Sequence, residues 1–221
     1  MSNPIKPSFK SEWLSVLFIV IGFASAFYFY ANFPEQVATH WNIRGEVDGY
    51  SSSFIAAFML PILSLFMYLI FLFLPYFDPK REQYANFPEI YHRIKDVILG
   101  FLIILFLLTG FNGLGYRIDI GFWVPLMIGL LFIFLGLMMK KLSPNWFVGI
   151  RTPWTMTSEE VWKKTHAASA WVFAASGLLM MATVLVEPAI KIVLFVVSIS
   201  LLVFVLPIYS YFLLNQEKKN K

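Results

Sequence analysis

The chain has no cysteine. That excludes disulfides, thiolate nucleophiles, iron–sulfur ligation and lipidation on sulfur. Charge is also scarce. Only 14% of the 221 residues are Asp, Glu, Lys or Arg, against about 25% in soluble domains. A water-facing surface cannot be covered with so little charge, so a soluble globule is excluded. Motifs for phosphate cradling, zinc hydrolysis or serine nucleophiles do not occur. The three histidines, His40, His92 and His166, are divided between polar segments on opposite sides of the predicted membrane and cannot form one site. The reading is therefore not an enzyme, with no catalytic residue, cofactor or metal, and without a basic region for direct nucleic-acid binding.

What the chain has in quantity is hydrocarbon: 59% of its residues are hydrophobic and 19% aromatic. A spanning helix needs about 20 mostly apolar residues. Six segments qualify, at 13–31, 54–76, 97–115, 122–139, 168–186 and 189–214. The first five contain no charged residue, and the sixth has only Lys191 near its start. Lys6 and Lys10 followed by Ala24-Ser25-Ala26 imitate a cleavable leader. The apolar run continues through Phe27-Tyr28-Phe29-Tyr30, however, which favours a retained span. Pro61 and Pro207 are candidate kinks. The expected fold is an all-α membrane protein of six transmembrane helices, with a small extracytoplasmic cap between helices 1 and 2.

Lysine and arginine set the orientation. With the N-terminus in the cytoplasm, 14 of the 17 cations lie in inner segments and three, Arg44, Arg117 and Lys191, lie outside. Both termini are then cytoplasmic, which requires an even number of spans. The organisation expected is an N-terminal two-helix unit with its cap over 1–76, a cytoplasmic loop over 77–96, and a four-helix membrane region over 97–221 that carries a cytoplasmic loop at 140–167.

Three polar segments punctuate the spans. In the outer one, Val37, Thr39, Trp41 and Ile43 alternate with Ala38, His40, Asn42 and Arg44, and Gly45 and Gly49 supply turns. This predicts an extended or hairpin-like cap. Two readings are open: a recognition surface built on His40, Trp41, Asn42, Arg44, Asp48 and Tyr50, or a folded lid whose polar groups satisfy one another. A metal site on His40, Glu46 and Asp48 matches no strong ligand spacing. The inner segment 77–96 carries mixed charge and predicts a solvated loop facing lipid headgroups, with a helix starting near Pro88.

The second inner segment, 145–166, is the densest in chemistry, with three Trp, one Arg, two Lys, two Glu and one His. Thr157 and Glu160 have capping-box spacing. A helix from Ser158 to the end of the fifth span has 29 residues, or roughly 43 Å, longer than a bilayer core. Trp162 and His166 share one face of it. Arg151 has two readings: it binds a phosphate or carboxylate beside the Ser158 helix start, or it pairs with Glu159, Glu160 or a helix end. Candidate docking or headgroup-binding residues are Asn145, Arg151, Thr152, Trp154, Glu159, Glu160, Trp162, Lys163 and His166.

Around G-I-R-T-P-W and S-E-E-V-W-K-K-T-H, this inner segment resembles the signature of the SdpI family of bacterial immunity proteins. The T-H-W-N and G-x-x-D-G-Y runs within 34–50 resemble the companion domain of unknown function found ahead of it. The D-P-K-x-E-x-Y-x-x-F-P loop at 78–88 extends the likeness. The resemblance implies a multi-pass immunity or resistance protein of the bacterial cytoplasmic membrane. It further implies protection against a membrane-active toxic peptide outside the cell, and capture of a small repressor protein at the inner surface. The bilayer is its remaining partner. It brings no catalytic residue. A second reading from the residues alone is a small transporter or lipid-headgroup-handling protein with Arg151 on the phosphate.

Overall fold

A computed structural model describes residues 4–220. Its elements in order are α1 (Phe9–Asn32), β1 (Gln36–Trp41), β2 (Val47–Ser52), α2 (Ser53–Phe77), a 3-10 turn (Arg81–Asn86), α3 (Pro88–Gly113), α4 (Ile120–Met139), the short α5 (Pro153–Thr157), α6 (Glu159–Ala182) with a 3-10 extension, α7 (Pro188–Ser200), a π turn (Leu201–Val205) and α8 (Leu206–Lys219). Six helices are long and apolar enough to cross a membrane, the sixth being α7 and α8 together. In their apolar windows only 11–33% of residues are buried. Phe27, Phe66, Phe73, Trp171 and Phe204 point outward. The outer surfaces of these helices must therefore be covered by lipid rather than water.

The break in the last span has a local cause. Pro207 lacks an N–H and its ring crowds the carbonyl four residues back, so the regular α-helical hydrogen bond at that position is lost. A single π turn before Pro207 absorbs the mismatch. Pro61 behaves differently: α2 runs straight through it.

Helices α4 and α6 pack most closely. A Cβ on Gly129 or Gly177 would strike the facing helix's backbone, and one on Gly136 would strike Phe173. Small residues at such a seam let backbones approach within van der Waals range, which drives association where lipid removes the hydrophobic force. Ser176 and Ser198 add reciprocal bonds between α6 and α7. The Ser176 hydroxyl donates to the Ser198 carbonyl at 2.6 Å, and Ser198 returns the bond at 2.9 Å.

Segment 77–96 starts a helix at Pro88 as expected and exposes residues such as Glu82 and Glu89, but it is not solvated throughout. Tyr84, Phe87 and Tyr91 are buried with Phe71, Ile94, Leu142 and Trp162 in one core cluster. Three large aromatics on a short segment can bury more area than their charged neighbours need water for. Its buried or partly buried charges have partners: Glu12 of α1 pairs with buried Lys95 of α3, and the Ser15 hydroxyl donates to Asp96. The helix N-cap expected at Thr157 also moves. Thr157 ends α5, and Ser158 caps α6 by accepting from Val161 N–H.

Candidate functional site

Parity of the spans places two polar surfaces at opposite ends of the bundle. The β-hairpin joins α1 to α2 at one end, beside the α3–α4 and α6–α7 connections. The 3-10 turn, segment 140–158 and the end of α8 lie at the other.

At the second end, segment 145–158 forms a clasp. Buried Asn145 uses its whole amide. Its carbonyl oxygen accepts from Phe147 N–H at 3.0 Å and Val148 N–H at 2.6 Å, and its amino group donates to the carbonyls of Ser143 and Val148. This fixes a loop that carries almost no regular structure. Asp78, nearly fully buried, holds that loop to the N-terminal half. One carboxylate oxygen accepts from Tyr84 OH and from Trp146 N–H, both at 2.9 Å; the other accepts from Lys80 N–H at 2.7 Å. Burial first, and then the bond to Asp78, pushes the Tyr84 phenol well above its ordinary range, so it remains a neutral donor.

His166 ties the clasp to α6. Its Nε2 accepts from Ile150 N–H at 3.0 Å, and Nδ1 lies 2.9 Å from the Trp162 carbonyl. A backbone N–H can only donate, so the proton sits on Nδ1 and the ring is neutral in this arrangement. The imidazole stacks on the Trp162 indole, with 3.9 Å between centroids. Trp162 Nε1–H donates to the Leu142 carbonyl at 2.8 Å. Gly149 has φ of +114°, and a Cβ there would run into His166 Nε2. Thr152 caps α5 and exchanges a hydroxyl bond with Ser210 of α8 at 3.0 Å.

The nine inner candidates therefore divide. Asn145, Thr152, Trp162 and His166 are buried inside the clasp, where they set its shape. Arg151, Glu159, Glu160 and Lys163 are exposed, and Trp154 is half-buried against Tyr211. The Arg151 guanidinium donates to the Trp146 carbonyl at 2.6 Å rather than to Glu159 or Glu160. Ser158 donates to Glu217 at 2.5 Å. An anion at this helix start would meet three carboxylates, which removes the geometric basis for a phosphate seat there. Asp78, Tyr84, Ser210 and Glu217 were not singled out from the sequence. The signal for Asp78 and Tyr84 was their place in the D-P-K-x-E-x-Y run.

At the hairpin end, β1 and β2 pair antiparallel, with register shifts at Ala38/His40 and His40/Trp41 that break strict alternation. The polar groups largely satisfy one another: His40 with Asp48 at 2.5 Å, Asn42 with Glu46 at 2.8 Å, and Arg44 with Glu46 at 3.2 Å. Among the described residues no three acidic, His or Cys side chains converge as metal ligands. His40, Arg44, Asp48 and Tyr50 are exposed, while Trp41 and Asn42 are half-buried. Gly45, at φ of +80°, seats the turn on Gly121 at the start of α4. The hairpin thus bridges from α1 and α2 to α4. Beneath it lies a partly open cavity of about 490 Å³.

Two family comparisons map onto this architecture. Residues 141–210 match the SdpI/YfhL protein family, and residues 17–65 match a domain of unknown function, DUF1648. The first covers the clasp, α6, α7 and the start of α8; the second covers most of α1, the hairpin and half of α2. The chain is also 25% identical over 205 residues to the Immunity protein SdpI of Bacillus subtilis (strain 168), spanning 92% of this chain and 96% of that one. No solved structure matches.

Proposed function

We propose that this chain, which matches the SdpI/YfhL family over residues 141–210 and has six helices able to span a membrane, is an immunity protein of the bacterial cytoplasmic membrane, protecting against a membrane-active toxic peptide. The observation that carries this reading is the likeness to an immunity protein along nearly the full length of both chains. The cation distribution supports an orientation with the hairpin outside and the clasp inside. His40, Trp41, Asn42, Arg44, Asp48 and Tyr50 are then the outward candidates for meeting the peptide, with Arg44 and Tyr50 the most available. The exposed inner candidates, Arg151, Glu159, Glu160 and Lys163, form the surface on which a small repressor protein would be held. Deleting the gene is expected to sensitise its host to a peptide encoded beside it or released by sibling cells. Unchanged sensitivity to every such peptide would overturn the proposal.

A further inference from the structure

The cavity under the hairpin is roomy and is walled by several helices. Its walls come from both halves of the molecule: Leu60 of α2, Leu105 of α3, Val124 and Ile128 of α4, Met180 of α6 and Phe195 of α7. At about 490 Å³ it falls within the range of small-ligand sites. Its lining is overwhelmingly apolar, so water gains little by filling it.

The polar groups on its rim are mostly engaged. Thr39 bonds Ser51, Thr109 donates to the Leu105 carbonyl, Thr183 donates to the Met180 carbonyl, and His40 and Asn42 pair within the hairpin. Two donors are left. Half-buried Lys191 makes no ion pair among the described residues, and the Trp41 indole N–H makes no hydrogen bond among them. Both are donors, and one carries a full positive charge. An occupant complementary to this site has an apolar tail and an anionic, hydrogen-bond-accepting head.

We propose that this cavity binds an acyl chain bearing an anionic head, with the chain between α2, α3, α4 and α7 and the head on Lys191 and Trp41. The two sources of such chemistry are a fatty acid and an anionic phospholipid. A cation near a membrane surface holds an anionic lipid with about fivefold preference. The hairpin, anchored through Gly45 on Gly121, covers one side of the site. This inference stands apart from the immunity reading, since it concerns what fills the molecule and not what the molecule protects against.

The full chain in phosphatidylcholine nanodiscs tests it with three probes carrying one tail-end diazirine: palmitic acid, phosphatidylglycerol and phosphatidylcholine. Crosslinks should map to residues 105–128 and 180–195, with palmitic acid or phosphatidylglycerol labelling several-fold more than phosphatidylcholine; the stronger of the two identifies the source. Lys191→Gln should remove most of that preference, about fivefold. Val124→Trp, which fills the cavity, should suppress labelling by all three. Equal labelling by phosphatidylcholine, a preference unchanged by Lys191→Gln, or crosslinks confined to the outer helix surfaces would each overturn the proposal. So would displacement of the probes only by an apolar peptide, which would make the site a peptide seat.

Discussion

Gly149 and Gly115 make a matched pair at the scale of single residues. Both hold a left-handed φ, +114° and +92°. A side chain at Gly115 would meet open space, whereas one at Gly149 meets His166. Gly115→Ala should cost only the backbone term, about 1–2 kcal/mol. Gly149→Ala should cost more, because moving His166 also orphans the Ile150 N–H, worth about 1–3 kcal/mol. Thermal unfolding of the two variants in one detergent checks the order; equal melting temperatures would contradict it. Asp78→Ala should be worse than Asp78→Asn by the same measurement. Alanine leaves Trp146 N–H without its acceptor and Tyr84 OH with only the 3.5 Å contact to Asn145, whereas asparagine retains a carbonyl oxygen. The motif residues Asn145, Trp162 and His166 were legible in the sequence as unusual. Their inward direction was not, because a polar aromatic residue on a helix reads the same whether its face meets solvent or a folded loop. Only the clasp across Gly149 decides it.

Among the elements, the spans were the most legible part. An apolar run of about 20 residues has few alternatives in a chain with so little charge. The hairpin was also visible, through turn glycines beside alternating residues. Segment 77–96 was misread in part because its charges were weighed above its aromatics. Tyr84, Phe87 and Tyr91 recur at three- and four-residue spacing, which is the buried face of a helical turn. The α4–α6 seam makes the strongest test at this scale. Gly129→Leu and Gly177→Leu should each force the helices apart and sharply reduce the folded fraction recovered in mild detergent. Leu130→Ala, on the exposed side of the same helix, should leave it nearly unchanged. A folded yield for Gly129→Leu equal to that of Leu130→Ala would show that close approach at the seam is not what joins these helices.

The whole molecule joins two units at both ends. At one end the hairpin crosses from the α1–α2 unit to α4 and roofs a cavity. At the other, Asp78 binds the clasp that carries the SdpI signature. The long helices α3, α4 and α6 span the distance between these two ends. Sequence alone could name the two surfaces but not this linkage, since it depends on contacts between residues 68 apart, such as Asp78 and Trp146. The immunity reading turns on which surface faces out. With no native cysteine in the way, single substitutions at exposed positions in each surface, Tyr50→Cys and Lys164→Cys, report this directly. Intact cells are treated with a membrane-impermeant maleimide before and after permeabilisation. The Tyr50→Cys variant should label in intact cells and the Lys164→Cys variant only after permeabilisation. The reverse pattern would place the hairpin in the cytoplasm and contradict a role for it in meeting an external toxin.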